Sequence, residues 1–198
     1  AQLEATQVEM TELLASAAEF RDAPLGPHAR WVGDASACVA GALGMSDADV
    51  RSLSLAARLH DIGKLAIPDA ILLKEGKLSS GEWTIMRTHA ELGARLLAQS
   101  TSALLRLAAE VALSHHEHWD GSGYPRGLCA EAIPLSGRVV SVVDTYDALV
   151  SERPYKPAWT AVQALLYLHR TAGRQFDPQV VEAFTRLYEQ GTLPKREE

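Results

Sequence analysis

Thiols are scarce in this chain. Cys38 and Cys129 are the only cysteines among 198 residues and form no CxxC pair, too few for the disulfide scaffold of a small secreted domain. No apolar run approaches the roughly 20 residues that cross a bilayer. The N-terminus also lacks the charged and apolar pattern of a signal peptide. Period-two alternation is missing, as are internal repeats and low-complexity tracts. Positive charge is in short supply: 19 Lys and Arg against 25 Asp and Glu give a formal net charge of -6. Tracking along a DNA or RNA polymer needs a broad basic surface and is thereby disfavoured. A small phosphate substrate is not, because ions and a few cations inside a pocket can reverse the potential locally. A reducing cytoplasm is the expected location, with no membrane span in this region. The chain begins at Ala1, so a longer protein with an upstream regulatory domain is expected.

What is present is 47% hydrophobic residues, enough to bury a sizeable core in one unit. Their spacing is helical nearly throughout, which predicts an all-α fold: a compact helical bundle over 23–198 with an additional N-terminal helix over 1–22. In that first helix Leu3, Thr6, Met10, Leu13, Ala17 and Phe20 follow a loose heptad. Thr6 and Ala17 are poor knobs, so packing on the domain is expected rather than a coiled coil. Further helices are predicted over 28–43, 47–63, 81–98, 103–118, 136–150, 160–169 and 178–189. Ser79 with Glu82 fits a capping box, and Asp177 before Pro178 supplies a cap and a first-turn proline. Gly and Pro break the chain at 24–27, 121–127 and 153–157.

Positions three, four and seven apart share a helix face. His60 lines up with Leu53, Ala56 and Ala57, and His89 with Ile85, Met86, Leu92 and Leu96. His115 lines up with Ala108, Val111 and Ala112, and His116 with Ala109, Ala112 and Leu113. Asp144 falls with Val140 and Ala148, and His28 with Trp31, Val32 and Ala35. One inward histidine is ordinarily a core residue bonded to a carbonyl. A whole set on several helices of one bundle must satisfy each other or a metal, since unpaired burial costs several kcal/mol per group. Imidazole and carboxylate donors suit iron, manganese or zinc and outnumber the ligands of one tetrahedral ion, so two divalent ions are expected. On a helix, adjacent His60 and Asp61 would diverge by about 100°, letting Asp61 reach a second ion. A carboxylate bridging ions roughly 4 Å apart would hold a hydroxide for in-line attack on phosphorus.

At this point the residues match a family. The string His60-Asp61-Ile62-Gly63-Lys64, with His28 before it and Asp144 after, resembles the HD metal-dependent phosphohydrolases. HHEHWDGSGYP from His115, LHDIGKLAIPDAILLKEGKLSSGEW and DTYDALVSERPYK resemble its HD-GYP subfamily, over roughly 24–184. The resemblance implies a phosphodiesterase that opens cyclic di-GMP to pGpG and often GMP, the output domain of a bacterial signalling protein such as a response regulator. It implies iron or manganese, with zinc, nickel or magnesium as alternatives. His28, His60, Asp61 and Asp144 would surround one ion; His89, His115 and His116 would surround a second that shares Asp61. Lys64 resembles the lysine on the scissile phosphate, Tyr124 of Gly123-Tyr124-Pro125 would line the cleft, and Arg153 and Lys156 would hold the dinucleotide's phosphates. Asp147 and Glu117 read as supporting residues, His118 and His169 as surface. Some members carry Glu four residues before the first histidine for a third metal. Here that position is Pro24, which favours a binuclear site. The alternatives are a phosphohydrolase of another cyclic dinucleotide or nucleotide, and a catalytically weak sensor of cyclic di-GMP. A homodimer is compatible with either.

Overall fold

The structure is a computed structural model that describes residues 2–21, 28–152 and 157–196. Pro24, Arg153 and Lys156 lie outside these residues. Among the described residues the chain forms ten α-helices and no strand. They are α1 (Gln2–Glu19), α2 (His28–Ala42), α3 (Asp47–Ala57), α4 (Asp69–Leu72), α5 (Ser80–Arg87), α6 (His89–Leu97), α7 (Ala103–Ser114), α8 (Leu135–Val150), α9 (Ala161–Thr171) and α10 (Pro178–Glu189). Two 3-10 turns, Ile62–Ala66 and Ala130–Ala132, complete the elements. The all-α expectation holds.

The main core lies between α2, α3, α7 and α8, with α9 and α10 closing against α8. Val32, Val39, Leu53, Val111, Val140, Val143 and Phe184 are fully buried there, each contributing about 1.5–3 kcal/mol by leaving water. A satellite cluster of Ile67, Ile71 and Leu72, flanked by Leu78, Met86 and Leu92, sits under α4 and α5. Both anticipated start signals form. Ser79 and Glu82 exchange backbone bonds as a capping box, and Asp177 accepts from Gln179 N at 2.8 Å ahead of Pro178.

Helix α1 packs through a different face from the expected seam. Thr11, Ala15 and Ala18 are buried, whereas Met10, Leu13 and Phe20 are 59, 64 and 70% exposed; Thr6 and Ala17 are exposed too. The small residues let the helix lie close, and charges fix it: Arg58 pairs with Glu12 of α1 at 2.7 Å and with Asp34 of α2 at 2.9 Å. At its end Arg21 donates to the carbonyls of Lys64, Leu65 and Ile67 and pairs with Asp69.

Three predicted helices are broken where the site is built; the 103–118 helix stops at Ser114, before His115 and His116. The expected 47–63 helix stops at Ala57. From there the chain tightens into three-residue turns, with Leu59 N bonding Ala56 O, His60 N bonding Ala57 O and Lys64 N bonding Asp61 O. His60 and Asp61 therefore diverge because of a turn, not because of helical rotation. The expected 81–98 helix breaks at Thr88, whose hydroxyl donates to Ile85 O at 2.6 Å, a side chain competing for a terminal carbonyl. His89 thus starts a new helix. Its buried companions are Ala90, Gly93, Ala94 and Leu97, and the Ile85 and Leu96 expected beside it are 43 and 52% exposed.

The tightened turn passes α6 backbone to backbone. A Cβ on Gly63 would sit 1.9 Å from His89 O and 2.5 Å from Gly93 N, so no side chain fits without moving the turn that carries Asp61 and Lys64. Gly63→Ala is expected to destabilise the metal-free protein by about 3 kcal/mol or more. Gly81→Ala, in open space inside α5, is expected to stabilise by about 0.5–1 kcal/mol. Denaturant unfolding of both variants checks the opposite signs.

Candidate metal centre

Three helices end against one small volume and deliver their histidines there. His60 follows the end of α3 and its Nδ1 donates to Ala57 O at 2.8 Å. His89 follows α5 and donates to Met86 O at 2.8 Å. His115 caps α7 and donates to Ala112 O at 3.0 Å, with Val111 O at 3.2 Å. Each imidazole donates to a carbonyl in the last turn of the helix that precedes it, where the regular bonding ladder runs out. An Nδ1 that meets a carbonyl must carry the hydrogen, so Nε2 is the free face in all three. His28, on the first turn of α2, is fixed differently: its Nδ1 lies 2.7 Å from Asp147 Oδ2 of α8.

The free nitrogens converge with two carboxylates. His28 Nε2 is 3.5 Å from Asp144 Oδ1, and His60 Nε2 is 3.7 Å from the same oxygen. Asp61 divides its two oxygens. Oδ1 faces His89 Nε2 at 3.3 Å and His115 Nε2 at 3.7 Å, while Oδ2 faces His60 Nε2 at 3.4 Å and Lys64 Nζ at 2.8 Å. The donor atoms fall into two groups, His28, His60 and Asp144 in one and Asp61, His89, His115 and His116 in the other, each within 4.8 Å of one another. His116 completes the second group, its ring 3.9 Å from that of His115 and 5.0 Å from that of His89.

Nε2 of His60, His89 and His115 and Oδ1 of Asp61 are buried and make no hydrogen bond. Such atoms cost about 1–3 kcal/mol each when left without a partner. Orphans aimed at two common points, all imidazole nitrogen or carboxylate oxygen, fit a pair of divalent ions. Negative helix termini at the ends of α3, α5 and α7 add to that fit.

Charge is poised accordingly. Burial alone would depress His60, but Asp61 and Asp144 outweigh it and raise the imidazole well above its ordinary range. Burial would raise Asp61, yet Lys64 and His60 hold its carboxyl well below the usual range. Asp144 is lowered in the same way, burial being outweighed by the adjacent imidazoles of His60 and His28. His115 and His116 are pushed down by burial, and in His116 further by the neighbouring imidazoles of His115 and His89.

The wall beyond His116 is a loop held from beneath. Buried Glu117 accepts Arg126 N at 2.8 Å and Leu128 N at 3.0 Å, and Tyr124 N bonds His116 O. A Cβ on Gly123 would lie 2.2 Å from His118 N, so the loop folds flat only with glycine there. Tyr124 stacks on His116 with ring centroids 4.7 Å apart, and the Arg87 guanidinium lies 5.1 Å from the centre of the Tyr124 ring. Arg87 escaped the sequence reading; its place two residues before His89 was the available signal. Lys64 is drawn into the centre by Asp61 instead of standing in solvent. His169 is exposed, and half-buried His118 meets Ser122 Oγ at 3.0 Å.

Residues 12–180 match the family described as HD domain, and the chain belongs to that family. Its Gly123-Tyr124-Pro125 block carries the resemblance to the HD-GYP subfamily within it. The chain is 46% identical over 185 residues to the cyclic di-GMP phosphodiesterase response regulator RpfG of Xanthomonas campestris, covering 93% of this chain and 49% of that protein. It is 42% identical over 180 residues to the 3'3'-cGAMP-specific phosphodiesterase 2 of Vibrio cholerae, covering 91% and 34%. The chain thus spans a third to a half of these curated relatives. Its fold resembles Bd1817, an HDG"Y"P protein of Bdellovibrio bacteriovorus, with a TM-score of 0.66 at 20% identity over 84% of this chain and 53% of that one.

In the metal-free protein His60 holds a proton at neutral pH, so an entering ion must displace it, and affinity rises with pH. Titrating Mn(II) at pH 7 in two buffers of different ionisation enthalpy is expected to register release of about one proton. Equal heats in both buffers would contradict the charge state given to His60.

Proposed function

We propose that this domain is a metal-dependent phosphodiesterase that hydrolyses cyclic di-GMP to pGpG, and further to GMP less readily, as the cytoplasmic output domain of a signalling protein. One observation carries the reading. Asp61 turns one oxygen to each of two clusters of imidazole and carboxylate donors, in which Nε2 of His60, His89 and His115 is buried and unbonded. Iron or manganese suits these nitrogen and oxygen donors, with His28, His60 and Asp144 holding one ion, His89, His115 and His116 the other, and Asp61 shared. When bound, such ions activate water and neutralise charge on a phosphoryl group during in-line displacement.

The chain's own residues do the rest. Lys64, anchored on Asp61 at 2.8 Å, places an ammonium where a phosphate would lie against both clusters and stabilises its developing negative charge. Tyr124 is buried enough that its phenol is raised above the ordinary range; it stays neutral, offers an O–H donor, and shields one side of the site from water. Arg153 and Lys156 are assigned to the distal phosphate of the dinucleotide on the resemblance of the RPYK string. Pro24 supplies no ligand, which favours two ions over three. A response-regulator setting is supported by RpfG, whose name is that of a response regulator.

A second reading keeps the chemistry and changes the substrate to 3'3'-cGAMP, as favoured by the 42% identical relative specific for it. Protein purified anaerobically and loaded with Fe(II) or Mn(II) decides between them when cyclic di-GMP, 3'3'-cGAMP and pGpG are compared by chromatography. Faster turnover of cyclic di-GMP is expected. Asp61→Ala is expected to lose activity by about 10³-fold or more and to bind fewer ions, while Lys64→Ala keeps its ions and loses about 10²-fold in kcat. Full activity in Asp61→Ala would sink the mechanism. Tight binding of cyclic di-GMP with no turnover would make the domain a sensor instead.

A further inference from the structure

The segment after α10 folds back over the end of α8. Trp31 Nε1 donates to Pro194 O at 3.0 Å, and the Arg196 guanidinium sits 5.9 Å above the Trp31 ring. Three nitrogens of that guanidinium serve three different partners. Nε forms an ion pair with Asp147 Oδ1 at 2.9 Å without the alignment of a hydrogen bond, one terminal nitrogen donates to Val150 O at 3.1 Å, and the other donates to Ser151 Oγ at 2.6 Å. Ser151 Oγ in turn bonds Asp147 O at 2.7 Å and lies 3.3 Å from Asp147 Oδ2. The other face of Asp147 meets His28 Nδ1.

Asp147 is 3% exposed as a side chain, whereas Arg196 is 36% exposed. A carboxylate so buried needs polar partners, and His28 and Ser151 meet only Oδ2. The Arg196 charge beside Oδ1 and the His28 bond on Oδ2 hold the carboxylate from both sides. The carboxylate's placement determines how the His28 ring is turned, because a hydrogen bond at Nδ1 orients Nε2. His28 also lacks the terminal-carbonyl anchor that His60, His89 and His115 possess. It is the one member of this set whose orientation depends on another side chain.

We propose that Arg196 is a positioning residue for the centre: through Asp147 it sets the His28 imidazole for the ion held by His28, His60 and Asp144. It acts on that ion and not on the one held by His89, His115 and His116, whose supports lie on α5, α6 and α7. The inference rests on the two-ion reading above.

The test uses the full metal-free chain and Mn(II) alone, followed by equilibrium dialysis with metal analysis, on wild type, Arg196→Ala, Arg196→Lys and, as a control, the exposed Arg170→Ala. The thermal midpoint of each metal-free protein is measured alongside. Wild type and Arg170→Ala are expected to bind two ions. Arg196→Ala is expected to weaken one binding step by about tenfold and leave the other and the metal-free midpoint unchanged. Arg196→Lys should fall between them, because a single ammonium can pair with Asp147 but cannot reach Val150 O and Ser151 together. Unchanged affinity at both steps in Arg196→Ala overturns the proposal. So does equal weakening of both with a lowered midpoint, which is the mark of a merely structural tie. Wild type that binds no second ion overturns the two-ion reading itself, and this inference with it.

Discussion

The centre depends on a local bond repeated three times: an imidazole Nδ1 donating to a carbonyl three residues back, where a helix runs out. His60 on Ala57, His89 on Met86 and His115 on Ala112 all do this. The bond forms where the helix stops, because a carbonyl in the last turn is released from the regular ladder and lies open to a side-chain donor. Each interruption of regular structure is therefore also a fixing of tautomer and ring direction. A bundle of longer, continuous helices would bury the same histidines without aiming them.

This arrangement explains what sequence reading could and could not recover. The helical period located the core because Leu53, Ala56, Val111, Ala112 and Val140 recur at positions that must leave water. The histidines and aspartates share those faces, so the site was legible as a set before any motif was considered. Where each helix ended was not legible. Nothing in the apolar pattern from 47 to 63 signals a stop at Ala57, and the cause is remote in sequence: Gly63 has to clear the backbone of His89. Thr88 breaks the 81–98 run through a hydroxyl bond that helix propensity alone does not foretell. The heptad in α1 misled for a similar reason. Periodicity finds a stripe but does not say which of two stripes faces the domain, and the small residues Thr11, Ala15 and Ala18 took the buried side.

Electrostatics knit the parts together. Lys64 and His60 keep Asp61 ionised against a burial cost that would otherwise neutralise it. Asp61 and Asp144 in turn hold a proton on His60 until an ion replaces it. The metal-free centre is a mutually compensated cluster, so a chain with a net charge of -6 can host a pocket that accepts anions once it is loaded. Arg21, at the end of α1, grips the turn that carries Lys64, which ties the exposed helix mechanically to this cluster.

The stretch that supplies His115 and His116 also builds the floor of the neighbouring loop, since Glu117 holds the amides of Arg126 and Leu128 and the His116 carbonyl holds the amide of Tyr124. On the proposed reading, ligand and wall are one piece of backbone, and a longer loop here would shift the residues assigned to the metal together with the wall.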